Sequence, residues 1–376
     1  MVTYGITLSS EEHPPGALVD HAVRAEEAGF SFASISDHFH PWVAAQGHSP
    51  FVWSVLGALA QATERIDLAV GVTCPLLRTH PAVIAQASAT TALLAGGRFT
   101  LGVGTGEALN EHVVGARWPS APVRQEMLEE AVGIIRALWT GDTLQHRGRH
   151  YEVENARLFD PPEADPPIVV SAFGTDAAEL AARIGDGLWS TAPDREVVER
   201  FAGAGGHGPR YAQLTVCWAD DEAEAREAVR RRWPNAGLSG QLAQDLPTWT
   251  HFEQATASLD GATITEHVPC GPDVAPFVEQ VRTYLDSGFD HLYLHQVGAD
   301  QAGFVRFWED ELRPALRDLD DRAGSGGPAA SADDRGTGGD RGTGGGSDAG
   351  DDRAAGSESE RISDPGGDSD PHPEAP

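Results

Sequence analysis

The run Ser36-Asp37-His38-Phe39-His40-Pro41-Trp42 crowds a carboxylate, two imidazoles and an indole into one short stretch. Imidazole is the natural proton acceptor near neutral pH, and an adjacent carboxylate can orient it. A neighbouring indole can wall off solvent and stack on a flat ligand. His38 is therefore a candidate base and Trp42 its companion; loop residues that merely cap the next helix are the competing reading. A second run is Gly102-Val103-Gly104-Thr105-Gly106-Glu107-Ala108-Leu109-Asn110-Glu111. Its alternating glycines let a flat ligand approach the backbone. It fails the dinucleotide fingerprint, because Glu107 stands where the third glycine belongs and would repel a pyrophosphate. Glu107 reads better as a proton donor or acceptor facing the same cavity as His38. The alternative is a first-turn acid favoured by the helix dipole.

Other runs carry weaker signals. Gly71-Val72-Thr73-Cys74-Pro75 leads into an irregular loop, and Cys74 has no evident base beside it, so it reads as packing before nucleophile. Ser171-Ala172-Phe173-Gly174-Thr175-Asp176 runs straight into a helix, a ready anion site for a cofactor phosphate, although Asp176 opposes an anion if it points inward. His291 and His295 read as core histidines before ligands. His38 and His40 resemble a metal pair, but a metal-dependent barrel hydrolase needs further histidines at later strand ends. VVSAF and LWSTA offer none there, and the chain has no lysine to carboxylate. No metal is expected.

These groups need a scaffold that gathers strand ends. Candidate strands are Thr3–Leu8, 31–36, 67–72, 98–104, 167–171, Gly187–Ser190, 213–218 and 291–295. Helical segments alternate with them at 16–28, 50–63, 82–94, 123–139, 177–184, 195–202, 222–233, 274–287 and 301–316. Several strands are short apolar runs, as expected when both faces are covered. Eight in strict alternation with helices predict a (β/α)8 TIM barrel with its site at the C-terminal strand ends. Two stretches interrupt the pattern. The first, about 141–166, carries a predicted hairpin at 143–153 with Arg147-Gly148-Arg149 in its turn. The second, about 234–272, reads as a cap or partner-facing insertion. Residues 1–319 form the barrel domain in this reading. Residues 320–376 are Gly, Ser, Asp and Pro with 14 acids against 5 arginines, and read as a disordered acidic tail.

The chain of 376 residues has a formal charge of −30, and all 27 basic residues are arginine. Such a surface repels nucleic acid and anionic lipid, so neither partner is expected. It suits high intracellular salt. Cys74, Cys217 and Cys270 are far apart with no metal-type spacing, which points to a reducing compartment. The opening MVTYGITLSSEE does not read as a signal peptide, and no apolar run is near the roughly 20 residues needed to span a bilayer, so the expectation is cytoplasmic.

SDHFHPW, GHSPFVWS, THPAVIAQ and GVGTGEALNE, in that order and spacing, resemble the F420-dependent branch of the luciferase-like superfamily. More narrowly, they resemble its glucose-6-phosphate dehydrogenase-like group, from about Thr3 to Leu319. The resemblance implies a homodimeric barrel holding coenzyme F420, with FMN as the alternative cofactor of a monooxygenase. Catalysis falls by carry-over to His38 as base on a substrate hydroxyl, Trp42 to steady charge, and Glu107 to supply a proton near the ring as hydride arrives. Asp37, Asn110, Cys74 and the Gly71–Val72 link, expected as a non-prolyl cis peptide, line the cofactor; Phe173, Gly174 and Thr175 hold its phosphate. The substrate residues depart from the pattern. Asp194 and Glu266 stand where the phosphosugar enzymes place lysines, and only Arg282 persists. A phosphate pocket so changed is repulsive. The implied reaction is hydride exchange with a small alcohol or carbonyl, with glucose 6-phosphate a poor substrate.

Overall fold

The computed structural model describes residues 2–238 and 240–317; the tail read as disordered lies outside them. Ten strands are present in the described residues. In chain order they are β1 (Thr3–Leu8), β2 (Phe32–Ile35), β3 (Asp67–Thr73), β4 (Phe99–Val103), β5 (Leu144–Arg147), β6 (Glu152–Ala156), β7 (Ile168–Ser171), β8 (Gly187–Ser190), β9 (Arg210–Val216) and β10 (His291–Gln296). All but β5 and β6 close a parallel barrel in the order β1-β10-β9-β8-β7-β4-β3-β2. The apolar strand runs pack outward on the helices. Inward, Phe32, Ala69, Val169, Trp189, Tyr211 and Tyr293 plug the lumen. Trp189 stacks on Tyr211 at 4.7 Å and donates to Tyr293 Oη at 2.6 Å. Gly71 fits against this plug because a Cβ there would overlap Ser34 Oγ and the Trp189 ring. A filled lumen leaves the strand ends as the place for a ligand.

Four local expectations change. Strand β2 is shorter than 31–36, because Ser36 leaves the ladder to bond Ser10 and Glu11. Strand β9 starts at Arg210 and not Gln213, since Tyr211 is needed inside the barrel; Cys217 beyond it bridges Cys270 instead. Those two cysteines, distant in sequence, are thus register partners, both free and buried. The hairpin turn lies at Gly148–Tyr151, where the Glu130 carboxylate accepts the N–H groups of Arg149, His150 and Tyr151. The last helix is not uniform. Gln301–Phe307 passes into a π turn, Trp308–Leu312, that buries Trp308 stacked on Phe30 at 4.3 Å.

The insertion folds as short helices at Leu242–Asp245, Trp249–Thr256 and Gly261–Thr265. Among the described residues no helix is long and apolar enough to cross a membrane.

Candidate functional site

The loops after β1, β2, β3 and β4 meet at one end of the barrel. His38 follows β2, with its backbone held by Ser49 Oγ at 2.7 Å. Its Nδ1 lies 2.8 Å from Oε1 of Glu11, a residue of the segment after β1. The side chains are 11% and 2% exposed, so the pair is shielded from water. Glu11 Oε2 accepts from Ser36 Oγ at 2.8 Å and Ser9 Oγ at 3.1 Å. Burial opposes ionisation of Glu11, but His38, with help from the Ser36 hydroxyl, outweighs it and brings its pKa down to about 2. For His38 burial works against the proton, and Glu11 reverses the outcome, with help from Glu107 and Asp37, so its pKa is raised. The imidazole is therefore a proton acceptor whose Nδ1 is already committed, leaving Nε2 for chemistry.

Trp42 packs edge-on to His38 at 5.0 Å, and Phe252 packs edge-on to Trp42 at 5.0 Å. Phe252 belongs to the insertion and is fully buried with Val43 and Leu109. Further ties fix the insertion to the loop after β2 and to Trp118 and Arg124 beyond β4. Glu253 accepts from Ala44 N at 3.1 Å, Gln244 from Arg124 at 3.0 Å, and Asp245 from Trp118 at 3.1 Å. The segment read as a cap or partner-facing insertion packs on Trp42, Val43 and Leu109.

Glu107 precedes the short helix Ala108–Glu111 with extended backbone, and only its carbonyl serves the helix. Its half-buried carboxylate makes no hydrogen bond or ion pair to the described residues, while its charge acts on His38 and Arg124. The turn before it needs glycine: Gly106 has φ of 70°, and a Cβ there would press on Cys74 Sγ. Cys74 is accordingly a buried thiol whose pKa burial, then Glu111 and Glu107, push well up; it packs beneath the turn.

Asp37 is 4% exposed and both its oxygens are engaged, Oδ2 by Thr73 Oγ1 at 2.5 Å and Oδ1 by Arg78 at 2.9 Å. Arg78 also pairs with Glu111 at 3.4 Å. Asp37 thus braces the mouth through its own neighbours. Asn110 Oδ1 accepts from Phe39 N and His40 N at 2.9 and 3.1 Å, which leaves its buried Nδ2 without a partner. The Gly71–Val72 peptide is cis. Gly104 leaves a backbone edge where a Cβ would meet Val72 and Ser171. At the end of β7, Phe173 is 52% exposed and Gly174 opens the helix Thr175–Ile184 with nothing near its Cα hydrogen. An orphan amide donor, a bare backbone edge and an open helix N-terminus fit a planar ligand bearing a phosphate.

His38, Trp42 and Glu107 come together. Asp194, Glu266 and Arg282 are placed by other contacts. Asp194 caps the helix Arg195–Gly203, accepting from Glu196 N and Val197 N. Glu266 is exposed at the end of Gly261–Thr265. Arg282 pairs with Glu279 at 2.5 Å on an exposed helix face. His40 faces away from His38, with Nδ1 3.1 Å from Leu109 O. Sequence reasoning missed Glu11, Glu12 and Arg78: SSEE reads as solvated acids at a helix start, and Arg78 sits in a loop with no period.

A family model for luciferase-like monooxygenases matches residues 2–291. F420-dependent glucose-6-phosphate dehydrogenases of Microbacterium testaceum and Nocardia farcinica are 36% and 37% identical, over 84% of this chain and 97% and 98% of theirs. A solved F420-dependent secondary alcohol dehydrogenase, in complex with an F420-acetone adduct, superposes with a TM-score of 0.78 at 29% identity, covering 84% of this chain and 99% of that one. A coenzyme F420-dependent tetrahydromethanopterin reductase from Methanopyrus kandleri, at TM-score 0.68 and 20% identity over 84% and 99%, shares the fold.

Proposed function

This chain belongs to the luciferase-like monooxygenase family, and on that premise we propose that it is an F420-dependent oxidoreductase acting on a small neutral alcohol or carbonyl compound. The observation that carries the reading is the buried Glu11–His38 pair with the unpartnered Glu107 carboxylate acting on the same imidazole. Bound F420 supplies a deazaflavin carbon that accepts or returns hydride. The Asn110 amide and the backbone at Gly71–Val72 and Gly104 would hold its ring, and Phe173, Gly174 and Thr175 its phosphate.

The chain's own groups divide the proton work. His38 takes the hydroxyl proton of an alcohol as the carbonyl forms, and the committed Glu11 stabilises the imidazolium that results. Trp42 and Phe252 keep water from the reacting carbon. Glu107 is the second proton-carrying group of the mouth, uncommitted and half-buried.

The curated relatives are named for glucose 6-phosphate. Here the substrate reading departs from theirs. Away from a helix N-terminus, a sugar phosphate is held best by a cation free of carboxylate partners. Arg78 is paired with Asp37 and Glu111, and Arg282 with Glu279. Asp194 and Glu266 bring carboxyl groups to the positions where the resemblance expects lysines. Purified protein titrated with F420 and with FMN by fluorescence quenching, then assayed with 2-propanol and with glucose 6-phosphate, tests the reading. F420 binding with turnover of 2-propanol only is expected. FMN binding without F420 binding overturns the cofactor, and robust reduction by the sugar phosphate overturns the substrate class.

The same reading includes a cytoplasmic homodimer. Phe51, the N-cap of the helix Val52–Ala62, and Val83, Leu93 and Leu94 of the adjoining helix Pro81–Leu94 are 59%, 53%, 38% and 45% exposed, apolar surface that a second copy would cover.

A further inference from the structure

Glu11 and Glu12 are consecutive, yet their side chains part. Glu11 reaches His38 beyond β2, whereas Glu12 Oε2 lies 2.8 Å from Nε2 of His295 on β10. Strand β1 sits between β2 and β10 in the barrel, so successive carboxylates brace the segment after β1 against both flanking strands. Glu12 and His295 have side-chain exposures of 0% and 0%. His295 is held on its other sides by Gln213 Nε2, 3.4 Å from Nδ1, and by the Trp233 ring packed edge-on at 4.2 Å. The segment is also pinned to β2 through Ser10 Oγ, which donates to Ser36 O at 3.0 Å, and through His48 N, which donates to Glu11 O at 2.9 Å.

A carboxyl–imidazole contact this deep in a protein adds little net stability, because taking both polar groups out of water offsets what the contact gains. Its geometry does something more specific. If the Glu12 end of the segment were released, only the β2 side would hold Glu11 at its distance from His38.

We propose that Glu12 and His295 are positioning residues for the reaction: their pairing locks the segment after β1 and so keeps the Glu11 carboxylate against His38 Nδ1. The inference rests on the reading of His38 as base. The carboxylates that face His38 are Glu11, Glu107 and Asp37, so its titration midpoint reports on how closely Glu11 is held.

Two variants separate reach from charge. Glu12→Asp keeps the charge and shortens the arm; Glu12→Gln removes the charge and keeps the arm. The midpoint of His38 is read in the purified protein, without cofactor or substrate, by histidine-selective nitrogen NMR assigned with His38→Gln. Turnover of 2-propanol with F420 is measured in parallel. Positioning predicts that Glu12→Asp lowers the midpoint by roughly half a unit or more. It also predicts a fall in kcat of about tenfold with KM within about twofold. Glu12→Gln stays close to wild type on both counts. Should Glu12→Asp not fold, His295→Asn repeats the shortened reach from the other partner. The proposal is overturned if the shortened variant leaves the midpoint in place, or if Glu12→Gln moves it as far. Because NMR reads the imidazole without turnover, a wild type inactive on 2-propanol would sink the substrate reading and leave this result legible.

Discussion

His38 carries a raised pKa although it is buried, and the sign of that shift makes the site testable by pH. Alcohol oxidation needs the neutral imidazole, so kcat/KM should rise with pH through a midpoint above the ordinary 6.5. Glu11→Gln removes the leading influence that opposes burial. The midpoint should then fall by roughly one unit or more, with a loss of about tenfold in the high-pH plateau from lost orientation. A midpoint that stays put would show that Glu11 does not govern the base. The pair also bears on stability. Glu11, lowered from 4.5 to about 2, contributes fully above pH 4.5 and loses that contribution as pH falls towards 2. His38, raised, contributes fully below 6.5 and loses it as pH rises through its folded midpoint. The joint contribution is therefore greatest between these limits. At this scale the sequence drew attention to His38, Trp42 and Glu107, because residues of these types are crowded into two short runs. Glu11 was not. A carboxylate in SSEE looks solvated until the barrel puts β2 beside β1.

The insertion, 234–272, shows where element-level reading stops. As a long stretch outside the barrel pattern it read as a cap or a partner-facing insertion, yet its composition carries no period that names the residue it packs on Trp42. The fold supplies that residue: Phe252, fully buried against Trp42, Val43 and Leu109. Phe252→Ala should cost about 3–5 kcal/mol of local packing and free Trp42 to move. A raised KM for 2-propanol with a lowered melting temperature is the expected outcome. Unchanged KM and melting temperature would remove the insertion from the account of substrate selection. The eight barrel strands were readable because short apolar runs flanked by helices have few other uses. Boundaries moved where a single side chain had another task, as with Ser36, Tyr211 and Trp308.

Across the whole molecule the absence of lysine and the charge of −30 dominate behaviour in solution. Residues 320–376 hold 14 acids and 5 arginines, so the remainder still carries −21. Exposed pairs such as Arg149–Glu126 and Arg183–Glu129 each contribute at most about 1 kcal/mol. Repulsion among the excess carboxylates acts over the entire surface, and salt shortens its range from about 10 Å at 0.1 M to about 3 Å at 1 M. Repulsion therefore outweighs the pairs, and the melting temperature should climb as potassium chloride is raised from dilute buffer to molar levels. A flat or falling curve would contradict this and with it the high-salt reading of the composition.

The most direct test of the site is a single-turnover comparison of wild type, His38→Ala and Glu107→Gln, each mixed with F420 and excess 2-propanol while the deazaflavin absorbance is followed. All three should quench F420 fluorescence alike, since neither side chain is needed to hold the ring. Only the wild type should bleach the band rapidly, with both variants slowed at least about a hundredfold. If either variant bleached it at the wild-type rate, that side chain would have no part in moving the proton, and the shared cavity of His38 and Glu107 would not be where the reaction occurs.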